Sequence, residues 1–291
     1  MIAINWGTSN FRAFRLNTRG EVQAERASGR GAATVPQGGF PDAVMAEVGD
    51  WIRAGEYQLL MSGMVGSRLG WEEAPYVNVP ATFDQIASKV MRLNVGCIDV
   101  RIVPGLIGID ESGVPELIRG EETEILGAEY PSSDSHRLCL PGTHTKWVRM
   151  EDATIAAFTT SMMGDVFRAI GNGTILHSTV HHVEFNEECF LQGVSRSKQP
   201  GDLLHHLFGI RTLVLTGKMQ ETTASSYLSG LLIGHDIKPM VRTRETVHLI
   251  GEPELCALYA TALREFAVRS TVEEPGAALR GLKRIAAGLE W

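Results

Sequence analysis

Two short stretches hold the residues best equipped for chemistry. In IAINWGTSNFR, Ile2 to Arg12, an apolar run ends at Asn5. Gly7, Thr8 and Ser9 follow before apolar residues resume at Phe11. In LCLPGTHTKWV, Leu138 to Val148, Gly142 and Thr143 take the same place, with Lys146 just beyond. Glycine tolerates positive φ and lets the backbone approach a ligand closely. Successive amides and hydroxyls at such a tip form a donor cluster suited to phosphate oxygens. The chain makes this turn twice, each time following it with a strand, a polar turn and another strand. That repetition points to duplicated α/β domains facing each other across a nucleotide cleft. Two ordinary hairpins are the alternative.

Three further stretches could complete a site. SGMVGSRLGWEEAPY, Ser62 to Tyr76, follows a buried parallel strand, Tyr57 to Met61. Ligands of open α/β sheets bind at such strand ends. Ser62, Arg68, Trp71 and Tyr76 supply a hydroxyl, a cation and aromatic walls for a small polyhydroxylated acid, or simply make up a surface loop. The GRGAATVPQGG loop, from Gly29 to Gly39, lines the pocket or merely connects. After Arg119-Gly120 come Glu121, Glu122 and Glu124; they complement a helix dipole, or one of them faces the cleft as a base. Asp165 is either a further cleft carboxylate or a capping acid. Gly251, between a strand and a helix opened by Pro253, is a place for an adenosine moiety to lie against backbone.

These groups need elements to position them. The 291 residues suffice for two domains with real cores, and 44% hydrophobic with 21% charged residues is a globular composition. The net charge of −7 argues against a nucleic-acid partner. An acidic protein that binds anions must concentrate cations locally, which draws attention to Arg12, Arg68, Arg119 and Lys146. No apolar run reaches membrane-spanning length, and Cys97, Cys139, Cys189 and Cys256 are expected to be buried, reduced thiols. A cytoplasmic protein is expected. His181, His182, Glu184, His205 and His206 lack ligand spacing and read as ordinary residues.

Helices are expected from Pro41 to Ala54, Phe83 to Leu93, Thr159 to Ile170, Asn186 to Lys198, Asp202 to Leu215, Thr222 to Gly234, Glu254 to Val268 and Ala277 to Leu289. Strands are expected at 100–103 and 246–250. The last helix is expected to pack back onto the N-terminal domain.

INWGTSN, SGMVGSRLGWEEAPY, VPGLIG, RGEETEILGA, LPGTHTKWV and SYLSGLLIGHDI, in this order and spacing, resemble the 2-dehydro-3-deoxygalactonokinase family. The resemblance runs from the first strand to about Ala267. It implies the actin-like ATPase fold: two ribonuclease H-like domains, expected at 1–118 with the sugar-acid site and at 119–291 with the nucleotide site. It further implies ATP-dependent phosphorylation of 2-dehydro-3-deoxy-D-galactonate on its terminal hydroxyl, in galactonate catabolism. Carried over by position, Gly7, Thr8 and Ser9 are the first phosphate loop, Gly142, Thr143 and His144 the second, and Gly251 belongs to the adenosine motif. One departure stands out. The fold usually has an aspartate for Mg²⁺ where this chain has Asn5, so the missing charge falls to Glu121, Glu122 or Asp165, or metal affinity drops.

On this reading Lys146 helps neutralise phosphate charge, Arg68 holds the sugar acid's carboxylate in two places, and Glu121 or Glu122 accepts the hydroxyl proton. The alternatives are a kinase for a related sugar acid, and a non-catalytic sensor of ATP and sugar acid. A homodimer is the expected assembly by frequency alone. The acceptor's galacto or gluco configuration, and which glutamate is the base, stay open.

Overall fold

Apolar residues in IAINW and FRAFRL set the first pair of strands, β1 (Ile2–Trp6) and β2 (Phe11–Leu16). β3 (Val22–Ser28), α1 (Phe40–Arg53) and β4 (Gln58–Gly63) follow, then β5 (Tyr76–Asn78) and α2 (Phe83–Ala87). Next come β6 (Met91–Val95), β7 (Ile98–Ile102), β8 (Gly105–Ile109), β9 (Pro115–Ile118) and α3 (Glu121–Gly127). The remainder comprises β10 (His136–Leu140), β11 (Thr145–Glu151), β12 (Thr154–Ser161), α4 (Met163–Gly173), α5 (Glu187–Lys198), α6 (Leu203–Leu215) and α7 (Ala224–Ile237). It closes with β13 (Thr246–Leu249), α8 (Pro253–Glu265), β14 (Arg269–Val272) and α9 (Ala277–Ala287). This computed structural model describes residues 1–130, 136–180, 184–242 and 246–291.

The chain divides into two compact units. One is Met1–Ser135 with Arg149–Phe158 and Glu274–Trp291; the other is His136–Val148 with Thr159–Glu273. The expected boundary between 118 and 119 falls inside the first unit, because α3 packs heavily on α9 and α9 also meets β1 and β4. Gly127 and Gly281 permit that approach: a Cβ on Gly127 would stand 1.9 Å from the Ala277 carbonyl oxygen, and one on Gly281 1.8 Å from that of Thr123.

The first unit holds a sheet of order β3-β2-β1-β4-β7-β6. β1 runs antiparallel to β2 and parallel to β4, and β4 runs parallel to β7. Its core joins Trp6, Phe11, Phe40, Trp51, Leu59 and Met61. The second sheet has order β12-β11-β10-β13-β14, with β10, β13 and β14 parallel. Three strands of a meander followed by two parallel additions are thus common to both sheets. The helical layer of the second unit is α5 against α7, where Gly193 and Gly230 let the backbones meet.

Several expected elements change. The expected helix over 83–93 stops at Ala87; Met91, Leu93 and Val95 alternate with the more exposed Arg92 and Asn94, a period of two that makes β6. β12 continues through the β-branched Thr159 and Thr160 to Ser161, so helix begins only at Met163. α8 ends at Glu265, and β14 follows after Ala267 at φ 56°. A small sheet of order β5-β8-β9 adds to the expected elements. Cys97 is exposed on the β6–β7 turn and Cys189 half-buried, so only Cys139 and Cys256 are buried thiols. Among the described residues no helix is long and apolar enough to cross a membrane.

Candidate active site

The first Gly-Thr tip is a tight hairpin closed by the Gly7 N–H donating to the Asn10 carbonyl at 2.9 Å. Thr8, Ser9 and Asn10 are exposed. Backbone holds the tip from behind: Ala32 N–H donates to Gly7 O at 2.9 Å and Ala33 N–H to Thr8 O at 3.2 Å. The Gly29–Ala33 loop therefore sits against this tip, and a Cβ on Gly31 would stand 2.1 Å from Thr8 O. Trp6 anchors the strand below, donating Nε1–H to Arg30 O at 2.9 Å and packing edge-on to Phe11. Asn5 is half-buried and lies in register with Ser62 of β4. Arg12 is exposed and pairs with Glu25 at 4.0 Å.

At the end of β4 the chain turns at Gly63, φ 94°, where a Cβ would stand 2.5 Å from Trp6 O. Against it comes Gly120, φ 109°, where a Cβ would stand 3.1 Å from Gly63 Cα. The two glycines bring the acidic turn onto the Ser62–Tyr76 loop. Ser62 is fully buried and accepts from Thr123 Oγ1 at 3.5 Å, a contact that ties β4 to α3. Arg119 clamps the loop: Nη2 donates to Ala74 O at 2.8 Å, Nε to Tyr76 Oη at 3.4 Å, and the guanidinium lies 4.2 Å from the Tyr76 ring centre. Its Nη1 is buried with no hydrogen-bond partner among the described residues. Arg68 is exposed on the same loop, and Trp71 packs against the core of the first unit.

The two glutamates have different surroundings. Glu121 is partly exposed and accepts the Arg119 N–H at 3.0 Å. Glu122 is wholly buried and accepts the Gly120 N–H at 2.6 Å through Oε2; its Oε1 has no partner among the described residues. Desolvation, reinforced by neighbouring Glu121, pushes its carboxyl pKa up to about 8. Burial thus favours the protonated form of Glu122, whose carboxyl is closed off from solvent in this structure.

In the second unit Gly142 has open space where a Cβ would project, and Thr143 is exposed. The His144 side chain keeps about half of its exposure. Lys146 is 5% exposed and donates to the His144 carbonyl at 2.7 Å. The start of α4 supports this tip. Gly164 N–H donates to Thr143 O at 3.0 Å, and a Cβ there would stand 2.7 Å from Thr143 Cα. Asp165 meets His144 Nε2 and Arg168 at 2.5 Å each, and these two partners, His144 first, hold its carboxyl below the usual range. Arg168 also donates to Thr143 Oγ1 at 3.4 Å. Gly251, φ 145°, lies beside the same tip: a Cβ there would stand 3.3 Å from Pro141 O.

This arrangement suits nucleotide phosphates. The tip has an open glycine, an exposed hydroxyl and an imidazole, with Lys146 and Arg168 beside them. Among the described residues no cluster of three or more His, Cys, Asp or Glu is arranged to hold a metal. Both Asp165 carboxylate oxygens are engaged, one by His144 and the other by Arg168, and Asn5 offers a neutral amide oxygen; Mg²⁺, which keeps most of its waters and shares substrate phosphates, asks for only one or two such protein oxygens. His206 is enclosed between His235 and the Pro200 carbonyl, an ordinary core histidine; His181 and His182 lie outside the described residues.

The model of the 2-keto-3-deoxy-galactonokinase family matches residues 5–285. The chain belongs to that family. Relatives include a Rhizobium meliloti protein named "Probable 2-dehydro-3-deoxygalactonokinase", 33% identical over 99% of this chain and 97% of its own. An Escherichia coli 2-dehydro-3-deoxygalactonokinase is also 33% identical, over 90% of this chain and 89% of its own. The crystal structure of a Sinorhizobium meliloti protein described as a 2-dehydro-3-deoxygalactonokinase superposes with a TM-score of 0.90 at 34% identity, covering 99% of this chain and 98% of that one. A Porphyromonas gingivalis structure named for N-acetylglucosamine kinase reaches 0.50 at 13% identity, covering 99% of both chains, and shows the shared fold alone.

Three residues of the site, Gly31, Gly164 and Arg168, are not singled out by residue type. In GRGAA and SMMGDVFRA a glycine is the only local signal, since close backbone approach leaves no other mark on a sequence.

Proposed function

We propose that this chain transfers the γ-phosphoryl group of ATP to the terminal (C6) hydroxyl of 2-dehydro-3-deoxy-D-galactonate, in the cytoplasm, as a step of galactonate catabolism. The family match over residues 5–285 carries the reading, because it takes in both Gly-Thr tips, the Ser62–Tyr76 loop and the acidic turn together. Each sheet is read as one ribonuclease H-like half. The second supplies Gly142, whose missing side chain leaves room for the phosphates, with Thr143, His144 and Lys146 to bind them, and Gly251 to the adenosine. The first supplies Gly7, Thr8 and Ser9 as the other phosphate loop, and the sugar-acid site.

Phosphoryl transfer asks the protein mainly for positioning and charge neutralisation. Backbone amides at the tips and the Lys146 ammonium meet charge on the phosphates. Asn5 and Asp165 would hold Mg²⁺, which when bound supplies further neutralisation. Glu121, the more accessible member of the pair, accepts the proton of the attacking hydroxyl; Glu122 braces the turn at Gly120. Arg68 reaches from its loop to the carboxylate, beside Tyr76 and Trp71. Incubation with MgATP and the sugar acid, followed by phosphorus and carbon NMR of the product, tests this. A phosphomonoester on C6 is expected; a phosphate elsewhere, or ADP without a sugar phosphate, would overturn it.

A further inference from the structure

Among the described residues two buried acids stand outside this machinery, Glu273, which pairs with His248, and Asp236. Asp236 lies near the end of α7, on a helix otherwise buried through apolar and small residues, and is 9% exposed. Three donors converge on its carboxylate: Trp147 Nε1–H at 3.1 Å and Tyr259 O–H at 2.7 Å on Oδ2, and Ser161 O–H at 2.5 Å on Oδ1. A buried carboxylate is costly unless its oxygens are satisfied, and these are.

Proton counting fixes the direction of the hydrogen bonds that lead away from Asp236. The Tyr259 phenol has one proton, given to Asp236, and burial holds its pKa well above the ordinary value, so it keeps that proton. Its oxygen can then only accept from Thr145 Oγ1–H, 3.1 Å away. The Thr145 hydroxyl also lies 3.4 Å from the Gly142 carbonyl, but Tyr259 Oη is the nearer acceptor at 3.1 Å; with its proton given there, Thr145 Oγ1 accepts the Gly142 N–H at 3.4 Å. The chain of donors runs one way, from the backbone of the second Gly-Thr tip through Thr145 and Tyr259 to Asp236.

We propose that Asp236 is a positioning residue for the nucleotide, fixing the phosphate loop at Gly142 through Tyr259 and Thr145. This rests on the reading of that loop as the ATP site. The relay uses up the Gly142 amide, so the loop presents its later groups to the phosphates in a fixed orientation. Breaking one link of the relay weakens nucleotide affinity by about threefold to tenfold.

The test compares Tyr259→Phe, Thr145→Val, their combination, Thr145→Ser, Asp236→Ala and Asp236→Asn, with Kd for ATP by calorimetry and KM for each substrate. Tyr259→Phe and Thr145→Val are each expected to raise Kd and KM for ATP about threefold to tenfold, with KM for the sugar acid within twofold. The double variant should be no worse than the worse single, and Thr145→Ser should restore the wild-type value. Asp236→Ala, which leaves Tyr259 no acceptor at this position, should match Tyr259→Phe, and Asp236→Asn, whose amide oxygen still accepts the Tyr259 O–H, should cost less; if Asp236→Ala fails to fold, the Tyr259 and Thr145 variants decide. Additive losses, or lowered melting temperature with ATP affinity unchanged, would overturn the proposal. A wild-type protein that bound ATP but phosphorylated no sugar acid would sink the kinase reading while the relay was still measured by Kd. A wild type that bound no ATP would sink both.

Discussion

The two Gly-Thr tips share a sequence pattern and are held in opposite ways. Behind Gly7–Asn10 the described contacts are backbone: Ala32 and Ala33 amides on Gly7 and Thr8 carbonyls, with Gly31 too close for any side chain. Behind Gly142–Thr145 there is a built support, with Gly164, Asp165 and Arg168 on one side and Thr145, Tyr259 and Asp236 on the other. A duplicated motif thus need not keep a duplicated role. The first tip follows its neighbouring loop, whereas the second is set by a surface ion pair on α4 and by the buried, hydrogen-bonded side chains of Thr145, Tyr259 and Asp236.

Substitutions in the two units should act differently. The largest effect is expected at the acidic turn of the first unit, where Glu121→Gln should lower kcat by about 100-fold or more while Glu122→Gln, which keeps the hydrogen-bonding shape, should lower it far less. Steady-state kinetics of the two variants settles it; equal losses would mean that the base is not Glu121. Next come the glycines behind the tips. Gly164→Ala must move Thr143, whose Cα lies 2.7 Å from the new Cβ, and should raise KM for ATP at least about tenfold. Gly31→Ala must move Thr8 and Ser9 further, since the new Cβ would stand 2.1 Å from Thr8 O and 2.3 Å from Ser9 Cα, and displacement of that tip should cost kcat and stability together in kinetic and melting measurements.

A smaller effect concerns pH. Glu122 has its folded pKa raised to about 8 from the ordinary 4.5. The folded state thus binds a proton that the unfolded chain has released. This contribution to stability is complete below about pH 4.5 and is lost as pH rises through about 8, at a slope of at most about 1.4 kcal/mol per pH unit. Melting curves between about pH 6 and 9 should show the wild type losing ground to Glu122→Gln; parallel curves would show that Glu122 is already ionised. Smallest is the effect at the substrate loop. Arg68→Ala should raise KM for the sugar acid a few-fold, with KM for ATP unchanged, and an unchanged KM for the sugar acid would pass the carboxylate to another cation.

The tips, the parallel strand ending at Ser62 and the acidic turn are legible in glycine placement and apolar runs, and their order carries the family. The rest depends on approach between distant segments. Nothing local in Ser62 says that Thr123 will enclose it, nothing in Glu122 that it will lose water while Glu121 keeps it, and nothing in Asp236 that Trp147 and Tyr259 wait for its oxygens. The expected helix over 83–93 fails for a different reason: its second half is a short apolar run with a period of two, which belongs to a strand.

Kinase activity is tested most directly by a coupled ADP-release assay with MgATP and a panel of sugar acids that includes 2-dehydro-3-deoxy-galactonate and -gluconate. Sugar-acid-dependent ADP release with the galactonate epimer, and little with the gluconate epimer, is the predicted result. No release with any sugar acid, while ATP still raises the melting temperature, would contradict it and leave a protein that binds nucleotide without transferring its phosphate.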